Sequence, residues 1–267
     1  MNKDDIVALA QRFIEGCGGN YIAEESALHP RCVGMKIFEA PIFAFGPPHD
    51  GLYAKYAAPD VIGSHFLGPD KWLPNTKTVI SFFLPYADKI KAANSSDSQW
   101  PAYEWLHGRY EGQHVLKQLL EYLVKTLSEA GHDTLAPSID RRFKAGNGFK
   151  HTSNWSERHI AYACGLGTFG LSKGIITKRG MCGRLGSVLT QLDLSKDIRN
   201  YGNIHEYCTM CGACIGRCPA RAISFKHGKN SAHCGDFLDK IWEKHNPRYG
   251  CGKCQTGVPC ESGIPKT

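Results

Sequence analysis

The sequence predicts a mixed α and β fold, α/β in the broad sense and α+β in detail, in which a larger domain is followed by a small cysteine-rich module. Three observations predict it. Thr78–Pro85 is an apolar, β-rich run bounded by Pro74-Asn75 and by Pro85 itself, which reads as a buried central strand. Residues 112–130 place Val115, Leu116, Leu119, Leu120, Leu123 and Leu127 on one helical stripe, with Gly131 as its stop. Eight of the twelve cysteines lie between Cys208 and Cys260, so the composition changes abruptly near residue 204. The expected division is 1–203 and 204–267.

The chain has 267 residues, 42% of them hydrophobic, 21% charged and 10% aromatic, which excludes wholesale disorder, collagen-like repeats and coiled coil. No apolar run approaches the roughly 20 residues that cross a bilayer, so no membrane span is expected. Residues 1–17 carry Ile6, Val7, Leu9, Ala10, Phe13 and Ile14 among acidic residues, an amphipathic helix without the apolar core of a signal peptide. A cytoplasmic location is the expectation, and there thiols stay reduced, which favours metal or redox chemistry over disulfides.

Further along, 37–45 and 187–194 read as strands and 155–164 as a helix capped by Ser153 or Asn154. Gly165-Leu166-Gly167-Thr168-Phe169-Gly170 matches G-x-G-x-x-G, but a helix rather than a strand precedes it. A dinucleotide site is not expected, and the glycines serve a close approach or end the helix.

Cys208-Thr-Met-Cys211-Gly-Ala-Cys214-Ile-Gly-Arg-Cys218-Pro219 is C-x2-C-x2-C-x3-C-P, the spacing with which bacterial ferredoxins wrap 4Fe-4S cubes. Two intervening residues let the chain curl so that successive sulfurs meet neighbouring irons while backbone amides face the anionic cluster. Zinc motifs, in contrast, usually pair cysteines two by two. Two cubes need eight thiolates, and Cys234, Cys251, Cys254 and Cys260 complete the count. Ferredoxin logic assigns Cys208, Cys211, Cys214 and Cys260 to cluster I and Cys218, Cys234, Cys251 and Cys254 to cluster II, although Pro259 precedes its cysteine and the ligands could be exchanged between cubes.

Cys17, Cys32, Cys164 and Cys182 lack ligand spacing and read as small buried hydrophobes, with Cys182 singled out because Lys178, Arg179 and Arg184 flank it. The formal charge of +7 falls to roughly +3 once each oxidised cube contributes about −2, which is no nucleic-acid footprint by itself. Tyr103, His107, Arg109, Tyr110 and His114 crowd the approach to the long helix, and two or three of them are candidates to face a pocket.

Several of these residues occur in a shared order: Leu84-Pro85-Tyr86 after Val79-Ile80-Ser81, Gly108-Arg109, Glu157-Arg158, Gly165-Leu166-Gly167 with Gly170, Gly186-Ser187, and the two cysteine groups. In this the chain resembles the epoxyqueuosine reductases and, more distantly, the corrinoid-dependent reductive dehalogenases. The resemblance implies an oxidoreductase with a nitroreductase-like domain that embeds cobalamin, followed by a ferredoxin-like double 4Fe-4S module. It implies that Gly165, Leu166, Gly167 and Gly170 approach the macrocycle and that Ser187 bonds a corrinoid side chain. In an ungapped match His151 takes the place of the family's aspartate acid, and Leu171 stands where a lysine is expected. The implied partners are a low-potential donor such as ferredoxin or flavodoxin and an unknown small-molecule substrate. The helical repeat that helps family members bind tRNA has no counterpart before Thr267, so tRNA is not expected as a partner. A flavin-using reductase and a redox-partner protein without a second cofactor are the alternatives.

Overall fold

A computed structural model describes residues 1–97, 99–145 and 152–266. In chain order it contains α1 (Lys3–Gly16), β1 (Ile42–Gly46), the short helices α2 (Gly51–Tyr56) and α3 (Pro69–Trp72), β2 (Thr78–Pro85), α4 (Asp88–Ser96), the long α5 (Tyr103–Glu129) and β3 (Thr134–Leu135). There follow α6 (Glu157–Cys164), a hairpin of β4 (Gly167–Phe169) and β5 (Ile175–Thr177), then β6 (Gly183–Thr190) and α7 (Ala213–Gly216). A second hairpin of β7 (Ile223–Ser224) and β8 (Gly228–Lys229) leads to α8 (Ser231–His245). The mixed α and β class expected from the sequence is the one observed. Among the described residues no helix is long and apolar enough to cross a membrane.

The main sheet runs β1-β2-β6-β3 and is antiparallel throughout. All eight residues of β2 are buried, because an unbroken apolar run is stable only where both faces of a strand are covered. The pleat sends alternate side chains to opposite faces. Ile80, Phe82 and Leu84 join Ile6, Ala10 and Ile14 of α1 and Leu116, Leu119, Leu120 and Leu123 of α5. Val79 and Phe83 join Ile160, Ala161 and Cys164 of α6, together with Trp72 and Trp155. The result is three layers, with α1 and α5 on one face of the sheet and α6 on the other.

Element boundaries depart from the sequence reading where local chemistry intervenes. The strand expected over 37–45 begins only at Ile42, since Pro41 lacks the N–H a ladder needs, and Phe38 forms an isolated bridge with Tyr86 instead. The strand expected over 187–194 is β6, whose first residues include Gly183 and Gly186 and so carry little strand propensity. The cap of α6 is Ser156, not Ser153 or Asn154. Asn154 instead accepts from Lys144 N and donates to Arg142 O, at 2.9 Å each, and Ser153 Oγ donates to Trp155 O. Gly165 ends α6 in the left-handed region at φ +92, and β4 follows, so the G-x-G-x-x-G run is a helix stop before a strand.

The segment from residue 204 onward is held against the layers by side chains from both parts. Asn94, buried in the last turn of α4, donates from Nδ2 to Cys251 O at 3.2 Å and to Thr256 Oγ1 at 3.1 Å. Its Oδ1 accepts from Ala102 N at 3.1 Å, and its backbone carbonyl accepts from the buried Lys253 ammonium at 2.8 Å. Arg248 pairs with Glu111 on α5 and donates to Ser26 O at 2.9 Å. Removing the Asn94 amide would strand several buried groups. Asn94→Ala is therefore expected to cost about 2 kcal/mol, seen as a lower Tm of anaerobically prepared protein; an unchanged Tm would show that these bonds do not secure the segment.

Candidate functional site

A cavity of about 480 Å³ opens between the layered domain and the cysteine-bearing segment. Its lining includes Phe83 of β2, Arg184 and Leu185 of β6, and Trp155, Glu157 and Arg158 around the start of α6. The cysteine-bearing segment contributes Cys218, Cys234, Cys251 and Cys254, with Lys229 of β8 and Phe237 of α8. Trp105 and Arg109 of α5 also belong to it. The volume lies within the usual range for cofactor and ligand sites.

The other four cysteines of the carboxy-terminal cluster lie elsewhere. Cys208, Cys211, Cys214 and Cys260 line a space of about 20 Å³ together with Gly170, Leu171 and Ile176. Met181 and Ser172 border both cavities. The eight cysteines thus fall into two sets of four, each surrounding its own space. All twelve cysteines are free thiols.

Among the described residues no three His, Cys, Asp or Glu side chains converge tightly enough to hold a single ion. Sulfurs around tetrahedral zinc stand about 4 Å apart. More widely spread thiols suit a multi-iron cube, although the smaller space must open for one to enter. Burial pushes the thiols of Cys251 and Cys260 up to about 12 and that of Cys214 up to about 11. Bare thiolates are disfavoured there, and cationic contents would be needed to deprotonate them. Ala222 N donates to Cys218 Sγ at 3.3 Å, and the Lys229 ammonium bonds Cys234.

Glu157 is the first residue of α6 and the one carboxylate in the lining of the larger cavity. Trp155 Nε1 donates to Ser187 Oγ at 2.9 Å, and Ser187 Oγ donates to Glu157 Oε2 at 2.6 Å. Within the described residues Glu157 Oε1 is buried without a well-formed hydrogen bond, although the Ser138 hydroxyl also stands beside the carboxyl. Burial outweighs the hydrogen bonds from Ser187, Ser138 and Trp155 and lifts the carboxyl to about 7. His159, two residues on, is pushed down to about 4 by burial and by the Arg158 charge, and is neutral at pH 7.

The residues singled out from sequence are distributed unevenly around this site. Cys218, Cys234, Cys251, Cys254 and Arg109 line the larger cavity, but Gly165, Leu166, Gly167 and Ser187 do not. Leu166 is packed in the α6-side core, and a side chain on Gly167 would collide with the Ile176 carbonyl. Both bonding functions of the Ser187 hydroxyl are taken by Trp155 and Glu157. Gly170 alone of the glycine run borders a cavity, the smaller one. His151 lies outside the described residues.

His107 is buried, with Nε2 accepting from Leu28 N at 3.0 Å and Nδ1 3.0 Å from Glu111 Oε2, so its role is structural. Cys182 is corrected too: burial drives its thiol well up rather than down, and Sγ donates to Gln255 O at 2.7 Å. Sequence reasoning quoted Glu157 and Arg158 only as a shared pair, because an acid at a helix start reads first as a partner for the helix dipole.

No protein-family model matches the chain. The epoxyqueuosine reductase of Bacillus subtilis is 24% identical over 226 residues, covering 80% of this chain and 54% of that protein. A solved epoxyqueuosine reductase with an epoxyqueuosine-modified tRNA stem loop superposes with a TM-score of 0.56 at 18% identity, covering 99% of this chain and 66% of that one. The chain is thus similar to epoxyqueuosine reductases in sequence and in fold. A tetrachloroethene reductive dehalogenase of Desulfitobacterium hafniense is 29% identical over 113 residues, 39% of this chain and 20% of that protein. This epoxyqueuosine reductase-like chain spans about half the length of the curated epoxyqueuosine reductases from Staphylococcus aureus and Bacillus subtilis. Its named relatives are oxidoreductases, in agreement with the sequence reading.

One expectation is overturned. The exclusion of tRNA rested on where the chain stops, yet a structure sharing its fold over 99% of its length holds a tRNA stem loop. The fold common to both therefore gives no ground for excluding tRNA.

The Glu157 carboxyl has a consequence for stability. Its folded pKa of about 7 lies above the ordinary 4.5, so between those values the native state holds a proton that the unfolded chain has lost. This contribution to stability is present below pH 4.5 and falls as pH rises to 7, by about 3 kcal/mol in all. Glu157→Gln is expected to gain in Tm relative to the parent across that window and to hold the gain above it. A difference that stays flat with pH would mean an ordinary, ionised carboxylate.

Proposed function

We propose that this chain is an iron–sulfur reductase whose larger cavity takes a corrinoid. The observation that carries the reading is the composition of that cavity, which is lined by four thiols together with aromatic, cationic and acidic groups. In this reading the layered domain is nitroreductase-like and the cysteine segment is a ferredoxin-like module. Cys208, Cys211, Cys214 and Cys260 hold one 4Fe-4S cluster, and Cys218, Cys234, Cys251 and Cys254 hold the other. Because the second set borders the cavity itself, its electrons have no protein layer to cross.

A corrinoid bound in the cavity would supply a metal centre able to carry out the reductive step. The protein's part is positioning and electrostatics. Phe83, Trp105 and Trp155 exclude water from the cavity, while Arg158 and Lys229 offset the negative charge of the thiolates of Cys234 and Cys254. A low-potential one-electron donor of the ferredoxin or flavodoxin kind would reload the clusters. The relatives' names make the epoxide of epoxyqueuosine, carried on a tRNA stem loop, the first substrate to try. An open cavity favours a reductase over a carrier that has lost its second cofactor.

Anaerobically isolated protein is expected to hold about eight iron and eight sulfide per chain. Cys251→Ala and Cys260→Ala are each expected to lose about half of that iron. A preparation that reproducibly keeps four iron would remove the two-cluster assignment. Adding hydroxocobalamin should shift its absorption spectrum with saturable, near-stoichiometric binding. Absence of binding, with flavin released on denaturation instead, would replace the corrinoid with a flavin.

A further inference from the structure

We propose that Glu157 is the proton donor of the large cavity, held ready by the relay Trp155–Ser187–Glu157. The inference rests on the reductase reading of that cavity and adds to it a residue for the proton. The hydrogen bonds at the carboxyl favour one placement of the proton. Trp155 Nε1 can only donate, so Ser187 Oγ is the acceptor in that bond and its own hydrogen points to Glu157 Oε2. Oε2 is therefore an acceptor, and the remaining carboxyl oxygen, Oε1, is buried without a well-formed hydrogen bond, the Ser138 hydroxyl standing near the carboxyl. An ionised carboxylate would leave that oxygen charged and poorly satisfied, whereas a proton on Oε1 leaves Oε2 as a carbonyl-like acceptor for Ser187. The neutral acid is the form this pocket fits, and Glu157 lies in the cavity wall.

The charged groups around it do not contradict this. Arg158 of α6, Arg184 of β6, Arg109 of α5 and Lys229 of β8 line the same cavity, as do Cys218, Cys234, Cys251 and Cys254. The thiol set counters the cations, with Lys229 bonded to Cys234 and Arg158 beside Cys234 and Cys254. A carboxyl titrating near neutrality is matched to proton transfer at working pH.

The step balances for an epoxide substrate. Both C–O bonds break, a C=C bond forms, and the oxygen leaves as water after accepting two protons. Two electrons come one at a time from the low-potential donor through the clusters. Glu157 gives one proton by breaking its O–H bond, water supplies the other, and the carboxylate is reprotonated from solvent.

The test uses anaerobic holoprotein and two readouts. Infrared difference spectra between about pH 5 and pH 9 should show a protonated-carboxyl stretch that vanishes with a midpoint near 7. The band should be missing from Glu157→Gln, while iron content and cluster paramagnetic resonance match the parent. With the epoxyqueuosine-modified tRNA stem loop as probe, Glu157→Gln should turn over on the order of 10²-fold more slowly, and Glu157→Asp should recover part of the loss. A band that is absent from the parent, or that persists in Glu157→Gln, overturns the proposal, as does parental turnover by Glu157→Gln at full iron content. If Glu157→Gln does not fold, Glu157→Asp decides, because its band must change midpoint if the parental band belongs to residue 157. Failure of the parent to turn over the probe counts against the substrate reading alone, and the infrared result still decides the proton.

Discussion

The end of one short helix holds the site together. A helix leaves its last carbonyls without internal partners and concentrates negative partial charge there. At the end of α4 the carbonyl of Asn94 receives the Lys253 ammonium, the Thr256 hydroxyl at 3.4 Å and the Arg217 guanidinium at 3.3 Å. Lys253 has no exposed surface, so its charge must be met inside the protein, and burial lowers its pKa despite these contacts. In sequence this anchor is flanked by Gly252, which follows Cys251, and by Cys254. Gly252 lies so close to the Trp105 ring, at φ +64, that any side chain would collide with it. The thiols of Cys251 and Cys254 are thereby fixed relative to α4 and α5, in the cavity that Glu157 and Arg158 also line.

Charge explains the rest of the cavity. Cations from four separate elements line one space, and desolvation by the surrounding protein together with Arg109 lowers the pKa of Arg158, although its side chain keeps exposed surface. Such a lining is costly unless its contents are anionic. The nearby thiols resist ionisation when bare, because burial raises Cys251 and Cys254. In the iron–sulfur reading the two costs would cancel together: thiolates bound to iron would remain negative, and the cations would then meet the charge they require. The cations and the thiols of this lining are parts of one electrostatic arrangement.

What could be read from the sequence follows from how local each signal is. β2 was legible because eight consecutive buried residues leave no polar alternation, and α5 because its leucines recur at helical spacing. The first nine residues of α5 were missed, since His107, Arg109 and Glu111 conceal a buried side that meets Leu28 and Arg248 from distant parts of the chain. The two groupings of cysteines around separate spaces match the division expected from their spacing, because a motif of closely spaced residues is local in the chain. Ser187 was not legible, since its two partners lie 32 and 30 residues away and consume the hydroxyl that the resemblance had given to a cofactor. Glu157 was hidden for the same reason: its environment, rather than its identity or position in a motif, changes its protonation, and environment is a property of the folded chain.

The two thiol sets differ in exposure, and that difference orders them. Cys211 is exposed and Met210 beside it keeps 39% of its surface, so the first set borders solvent, where a partner protein can reach it. Cys254 is enclosed enough for burial to dominate its ionisation, and its set opens on the cavity rather than on the surface. Met181, bordering both spaces and with Sδ 3.5 Å from Cys260 Sγ, lies between them. With clusters in both, electrons would enter at the solvent-facing set, cross by way of the Met181 region and emerge at the cavity that Glu157 lines. Electron delivery and proton delivery would then meet in one cavity.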